Sequence, residues 1–368
     1  MITQKIITNC QAMEDVPIIP KRRVSYAHSV QAAHMNGMES TVHLLENELC
    51  VASIDKDHLP SASHTLVGLL LKLLGPQPEC RRNCFFSFTE TVADYSIILD
   101  SHLLSELCPP EAGVQLDLSI DKWRPLLVEV GPLGCVTGIS KLAASVIEPL
   151  ADRNVSVFCL STNMDDYVMV KERDLQKALA CLAKRFKLTC DSCQPKDISL
   201  VKSLGRPSCS SMDSPVRQRA APKSRPLVHP YVCSSTPYSV CGVMPSALPS
   251  IASTLLHYML YRDRSPSSEP FFSLSVIEED ISVVMDASHI QRFPVDSLYL
   301  SNVIWRVIRI GEGPLGFDEC GIVAQVSAPL ALAEISTYYI CTFLTDHTLV
   351  PSGSAEKALE LLNENTPH

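Results

Sequence analysis

No stretch of this chain is long and apolar enough to cross a bilayer. Its longest apolar run, Leu66 to Leu74, contains Lys72 and falls far short of the ~20 residues a spanning helix needs. The N-terminus lacks the basic, apolar, small-residue order of a secretion signal, so the fifteen cysteines are expected as reduced thiols in the cytosol. Cys190-x-x-Cys193 is the only CxxC, and we read it as two ordinary cysteines near a domain end. A basic surplus is missing too. With 31 Lys and Arg against 40 Asp and Glu, the net charge of −9 suits small cations better than nucleic acid. His347 beside Asp346 is joined by no nucleophile or metal-ligand set in the sequence, and no enzyme is expected.

What is present is repetition. Gly131-Pro132-Leu133-Gly134 returns as Gly313-Pro314-Leu315-Gly316, a shift of 182. Pro149-Leu150-Ala151, Asp166 and Lys177-Ala178-Leu179 return as Pro329-Leu330-Ala331, Asp346 and Lys357-Ala358-Leu359, a shift of 180. An earlier unit also recurs: Leu59-Pro60-Ser61 as Leu248-Pro249-Ser250, and Phe85-Phe86-Ser87 as Phe271-Phe272-Ser273. Ligand chemistry is therefore to be sought where two copies face each other.

Each unit reads strand, helix, strand, strand, helix. Glu48 to Ile54, Cys84 to Phe88 and Tyr95 to Leu99 are β-rich, and Pro60 suits the first turn of a helix. From Ile139 to Leu150 apolar residues fall at 139, 142, 143, 146, 147 and 150, the spacing of a helix face. Val155 to Ser161 and Tyr167 to Val170 are strands, Leu175 to Phe186 is amphipathic, and Lys187 to Cys190 closes the sheet. This order predicts an α+β chain of four ferredoxin-like units, each a four-stranded antiparallel sheet under two helices. We expect a flexible extension over 1–40, units over 41–118, 119–193, 233–298 and 299–368, and a tether over 194–232. The stretch 194–230 has six prolines, seven serines and seven Lys or Arg against two acids, hence the tether.

The segments GPLGFDECGIVAQVSAPLALAEIS, YYI-T-F--DH-LVP and FFS-T-T--DY resemble the CASTOR family, cytosolic arginine sensors acting on mTOR complex 1. The resemblance covers most of the chain. It implies four ACT domains in two tandem pairs, an arginine site between the second and fourth, and dimerisation through the first and third, with itself or with a paralogue. It also implies inhibition, in the arginine-free form, of the activating GATOR complex. Matched motif by motif, the arginine site comprises Ser156, Val157, Gly316, Glu319, Gly321, Ile322, Thr342, Phe343 and Asp346. The matching partner surface is Asn163, Met164, Asp166, His229, Val303 and Glu334; Asn163, Met164, Val303 and Glu334 depart from the family pattern.

These residue types suit a free amino acid. Backbone N–H groups at Gly321-Ile322, where a helix opens, can take a carboxylate. A guanidinium taken from water needs an ionised partner, which Asp346 can supply, while Glu319 can hold the ammonium. Glu319 and Phe317 have no equivalents in the sister loop Cys135-Val136-Thr137, which suggests that one face alone is specialised. Other readings stay open. Asp346 can be a turn aspartate bonding its own backbone, and the chain can be a scaffold without ligand control or a sensor of another amino acid. Gly311-x-Gly313-x-x-Gly316 also spells a dinucleotide loop, though Pro314 removes an N–H from it. No cofactor, nucleic acid or membrane partner is expected.

Overall fold

The computed structural model describes residues 40–75, 81, 83–129, 138–190, 195–204, 229–261 and 269–364. The expectations for residues 1–39, the Gly131 to Gly134 loop, Cys193 and most of the basic tether lie outside them.

The first half runs β1 (Thr41–Leu44), β2 (Leu49–Asp55), α1 (Leu59–Leu73), β3 (Phe85–Glu90), β4 (Asp94–Asp100), α2 (Leu104–Leu107) and β5 (Asp117–Leu118). It continues through β6 (Trp123–Glu129), α3 (Ile139–Leu142), a π turn (Ala143–Ile147), α4 (Glu148–Ala151), β7 (Val157–Ser161), β8 (Asp166–Lys171), α5 (Leu175–Leu182) and β9 (Lys187–Thr189). After α6 (Pro195–Leu204) the second half repeats the order. It runs β10 (Tyr231–Cys233), β11 (Tyr238–Val243), α7 (Leu248–Tyr261), β12 (Phe272–Ile277), β13 (Asp280–Asp286) and β14 (Leu298–Leu300). It ends with β15 (Trp305–Ile310), α8 (Ile322–Leu332), β16 (Tyr338–Cys341), β17 (Asp346–Pro351) and α9 (Ala355–Glu364).

Two long ladders result. One runs β5–β2–β4–β3–β12–β13–β11–β14. Within each of its halves the strands lie in the ferredoxin-like order fourth, first, third, second. Its seam is the antiparallel β3–β12 pair, with Ser87 and Ser275 hydroxyls 3.0 Å apart and Thr89 and Ser273 2.9 Å apart. β3 reads Phe-Phe-Ser-Phe-Thr-Glu and is buried throughout, as a strand covered on both faces must be.

The other ladder runs β9–β1–β6–β8–β7–β16–β17–β15–β10. Here the place of a fourth strand is taken by a borrowed one. β1 opens the first unit in chain order, yet it pairs Thr41 with Glu129 in β6. β10 likewise pairs Tyr231 with Ile310 in β15. The segment Lys187 to Cys190 therefore does not close the sheet on β6; β1 stands between, and β9 adds outside it in parallel.

Two further expectations are corrected. The first ten described residues of the tether form helix α6, anchored by a buried ion pair, Arg124 Nη2 to Asp197 Oδ2 at 3.0 Å. Arg124 also reaches Glu172 at 3.1 Å and the carbonyls of Asn47 and Leu45, so its buried charge is paired and hydrogen-bonded. Cys190 is disulfide-bonded rather than an ordinary thiol, whereas nine described cysteines, Cys320 among them, are free.

Candidate ligand site between the second and fourth segments

The site grows out of the turn between β15 and α8. Gly311 and Gly321 hold φ of +89° and +94°, a backbone conformation that side chains resist. They bracket a loop pinned by Leu315 N–H on the Leu344 carbonyl (2.7 Å) and Glu319 N–H on the Gly316 carbonyl (2.9 Å). From this loop Phe317 reaches into the second segment. Its ring lies 5.8 Å from Trp123, 6.1 Å from Phe158 and 5.2 Å from Phe343, centroid to centroid. Asp318 next to it bonds both Lys171 and Arg173. Lys171 is fully buried, 2.7 Å from Asp121 and 5.6 Å above the Trp123 ring. The pair with Lys171 holds the Asp318 carboxyl below its usual range.

Beneath the loop lies a cavity of about 30 Å³, room for one or two waters. Of the nine residues matched to the arginine site, Val157, Gly316, Glu319, Gly321, Ile322, Thr342 and Asp346 line it. Ser156 and Phe343 flank it. The Ser156 hydroxyl is 3.1 Å from Cys320 Sγ, and the Phe343 N–H donates to Ser96 Oγ at 2.9 Å.

Asp346 differs from the turn residue that the sequence allows. It is buried at the first position of β17, paired with Cys341 across β16, and accepts from the Tyr339 hydroxyl at 3.0 Å. Burial pushes its carboxyl up to about 6 against the opposing pull of Cys341, Tyr339 and His229. His347 is the next strand residue and faces the opposite side, its ring 4.8 Å from Phe271. Burial, aided by Arg309, lowers that imidazole to about 3. Asp346 and His347 thus form no dyad.

The six residues matched to a partner surface do not gather. His229 stands behind the cavity residue Glu319, its Nε2 2.9 Å from Glu319 Oε1. Asp166 is buried, accepting from Ser161 Oγ at 2.6 Å and pairing with Lys141. The Asn163 N–H donates to Ser282 Oγ at 2.8 Å, which docks the turn carrying Asn163 and Met164 against the third segment. Val303 and Glu334 are exposed, Glu334 at φ +58° just past α8.

Sequence reasoning missed Trp123, Phe158, Leu315, Val323 and Cys341 as lining residues. Trp123 left a signal: the chain has two tryptophans, and Trp123 and Trp305 open corresponding strands. Trp123 Nε1 has no acceptor among the described residues, a buried donor next to an acidic cavity. With Glu319 and Asp346 both lining it, the loop is poorly disposed to a phosphate, which removes the dinucleotide alternative.

Asp318 gives a first test. An exposed ion pair is worth roughly 0.5–1 kcal/mol, about two- to fivefold in a rate. Asp318→Asn is therefore expected to speed release of a ligand held under the loop by about that factor, with stability lowered by no more than about 1 kcal/mol because Asp121 still pairs Lys171. Surface plasmon resonance measures it, and an unaltered off-rate would remove Asp318 as a latch.

Residues 229–302 match the family model described as cytosolic arginine sensor for mTORC1 subunit 1/2, ACT-like. Residues 48–112 match that of the N-terminal domain of the subunit 1 sensor, and 118–184 and 301–364 each match the ACT domain model. A Pongo abelii protein named cytosolic arginine sensor for mTORC1 subunit 1 is 38% identical over 337 residues, 87% of this chain and 97% of that protein. The Homo sapiens protein of the same name is 37% identical over 339 residues, with the same coverage. Among solved structures, aspartate kinase from Synechocystis aligns with a TM-score of 0.30 and 13% identity, covering 89% of this chain and 55% of that one.

Proposed function

The chain belongs to the family of cytosolic arginine sensors for mTORC1, and from that premise we propose that it binds L-arginine in the cavity under the 311–321 loop. Its four segments then act as four ACT domains in two tandem pairs. The single observation that carries this reading is convergence. Seven residues scattered from Val157 to Asp346 line one cavity, and it holds two carboxylates. The protein is on this reading a cytosolic, non-catalytic regulator. It acts as a homodimer or with a paralogue, and arginine relieves its inhibition of the activating GATOR complex.

Each group has a task. N–H groups at the start of α8, where the helix dipole is positive, take the ligand carboxylate. Glu319, bonded to His229, takes the ammonium. Asp346, oriented by Tyr339, takes the guanidinium. Arginine is larger than the present cavity, so Phe317 and its loop must shift to admit it. That shift is the natural source of signalling, since a ligand moves an equilibrium only by preferring one of its states.

Calorimetric titration with arginine, lysine and citrulline tests the reading. Arginine should bind near neutral pH and citrulline, which lacks the charge, should not. The pH dependence follows from Asp346. Burial holds its carboxyl up at about 6, and a bound guanidinium favours the ionised form and lowers that value. Binding below pH 6 therefore releases a proton, and affinity is expected to fall about tenfold for each pH unit. Affinity constant between pH 7 and 5, or tight citrulline binding, would overturn the assignment.

A further inference from the structure

The seam between the second and fourth segments turns about one residue pair. Leu160 in β7 faces Ile340 in β16, and the two are related by the repeat shift of 180. On either side of that pair a side chain of one strand takes a backbone N–H of the other. The Tyr339 N–H donates to Ser161 Oγ at 3.0 Å, and the Cys159 N–H to Cys341 Sγ at 3.1 Å. Ser161 and Cys341 are equivalents at the same shift, each opposite a buried aspartate, Asp166 or Asp346. The two ends of the seam differ in what faces them. Ser161 meets Tyr339, whereas antiparallel pairing of Leu160 with Ile340 sets Cys341 across from a second cysteine, Cys159. Both thiols are free and buried, and Cys341 also lines the ligand cavity.

We propose that Cys159 and Cys341 are a latent disulfide across this seam, closed by hydroperoxides that enter through the ligand cavity. Opposed residues of antiparallel strands have Cα atoms about 4.5–5.5 Å apart, within the span of a disulfide. A cavity with room for one or two waters admits hydrogen peroxide. The Cys341 thiolate attacks one peroxide oxygen, the O–O bond breaks, and the other oxygen leaves as water with the thiol's proton. The Cys159 thiol then attacks the sulfenic sulfur and expels a second water as the S–S bond forms. One peroxide is thus reduced by the two electrons that the thiols give up. Burial, the bond with the Cys159 thiol and the nearby Asp346 carboxylate hold the Cys341 thiol well above its ordinary range, so thiolate is scarce and closure is slow. The disulfide takes from Asp346 a thiol that pulls its carboxyl down, so the oxidised chain holds a guanidinium less well near neutral pH. That consequence rests on the arginine reading above, whereas the disulfide itself does not.

The full chain, freed of reductant, is treated with millimolar hydrogen peroxide with and without saturating arginine, then digested unreduced for mass spectrometry. A peptide pair joined through Cys159 and Cys341 is expected, formed several-fold more slowly under arginine. Calorimetry on the oxidised protein should show arginine affinity lowered several-fold at pH 7 and its loss with acid starting at a higher pH. Dithiothreitol should reverse both. Cys159→Ala keeps Cys341 and Asp346 in place, and is expected to show no cross-link and no reversible loss. The disulfide at Cys190 is common to both proteins and cannot account for a difference. A cross-link in protein that binds no arginine even when reduced would defeat the arginine reading and leave the disulfide standing. Cross-linking at an unaltered rate in protein that does bind arginine would overturn entry through the cavity. No Cys159–Cys341 peptide after prolonged oxidation, or an equal reversible loss in Cys159→Ala, would overturn the disulfide.

Discussion

Replacing Asp346 by Asn is expected to weaken arginine binding by two to three orders of magnitude or more. Removing one partner from a buried charge pair costs roughly 3–5 kcal/mol, because the remaining charge is left without compensation, and each 1.4 kcal/mol is about tenfold in affinity. Asn is the better probe than Ala, because Asp346 is buried in strand β17 and bonded by Tyr339, and an amide oxygen can still accept that hydroxyl. The empty fold should not suffer. A carboxyl raised from 3.8 to about 6 by folding contributes stability below pH 4 that is lost as pH rises through 6. At pH 7 the ionised Asp346 is thus a burden to the empty protein, and the Asn variant should melt no lower than wild type. Wild type should gain about 2.7 kcal/mol at a hundredfold excess of arginine over its Kd, and the variant almost nothing. Asp166→Asn, in the matching position, should change arginine affinity little, though its pairing with Lys141 makes a loss of stability expected there. Equal losses of affinity in the two variants would move the site elsewhere.

The largest loss of stability is expected at Gly138. Its φ of 73° and ψ of −158° lie where side-chain-bearing residues are almost never found. A Cβ there would stand 1.6 Å from the Thr337 carbonyl oxygen. Gly138→Ala must therefore bear the backbone strain and break the bridge from the second segment to the fourth, along with the Ser140–Thr337 bonds. Strain of 1–3 kcal/mol plus lost interior contacts gives a total of roughly 3–5 kcal/mol. Gly113→Ala is the companion measurement. At φ +61° it shares the strain, but nothing lies within 4 Å of the added Cβ, so about 1 kcal/mol is expected. Urea denaturation of both separates the two contributions. Similar midpoints would show that the Gly138 contact is not a structural tie.

Much of this was legible in the sequence because it is local. The 139–150 spacing gave a helix that the structure keeps, with a π turn at Ala143–Ile147 that apolar periodicity does not encode. The repeat at a shift of 180 made Asp346 look like a turn residue shared with Asp166, and the family resemblance alone singled it out; the absence of a counterpart to Phe317 pointed to the loop that carries the aromatic anchor. What was not legible depends on pairing at a distance. β1 and β10 are four and three residues long, too short for periodicity to say which sheet takes them. Helix α6 carries Lys196, Asp197 and Lys202 beside proline and serines, and it is held by the charge pair to Arg124 and by Leu200, Val201 and Leu204 against the core. His229 lies 90 positions from Glu319, so nothing in its neighbourhood announced a partner for a cavity carboxylate.

The borrowed strands have a bearing on how such a chain can be cut, expressed or inherited. A fragment that begins at β6 lacks β1 and would present the β6 edge to solvent, and one that begins at β15 would do the same for want of β10. An open edge of that kind recruits other chains. The smallest autonomous piece is consequently a half that starts ahead of β1 or β10, not a single strand–helix module. The duplication recorded in the sequence accordingly copied a pair already interlocked, since the second module of each pair would have had no fourth strand of its own to bring with it.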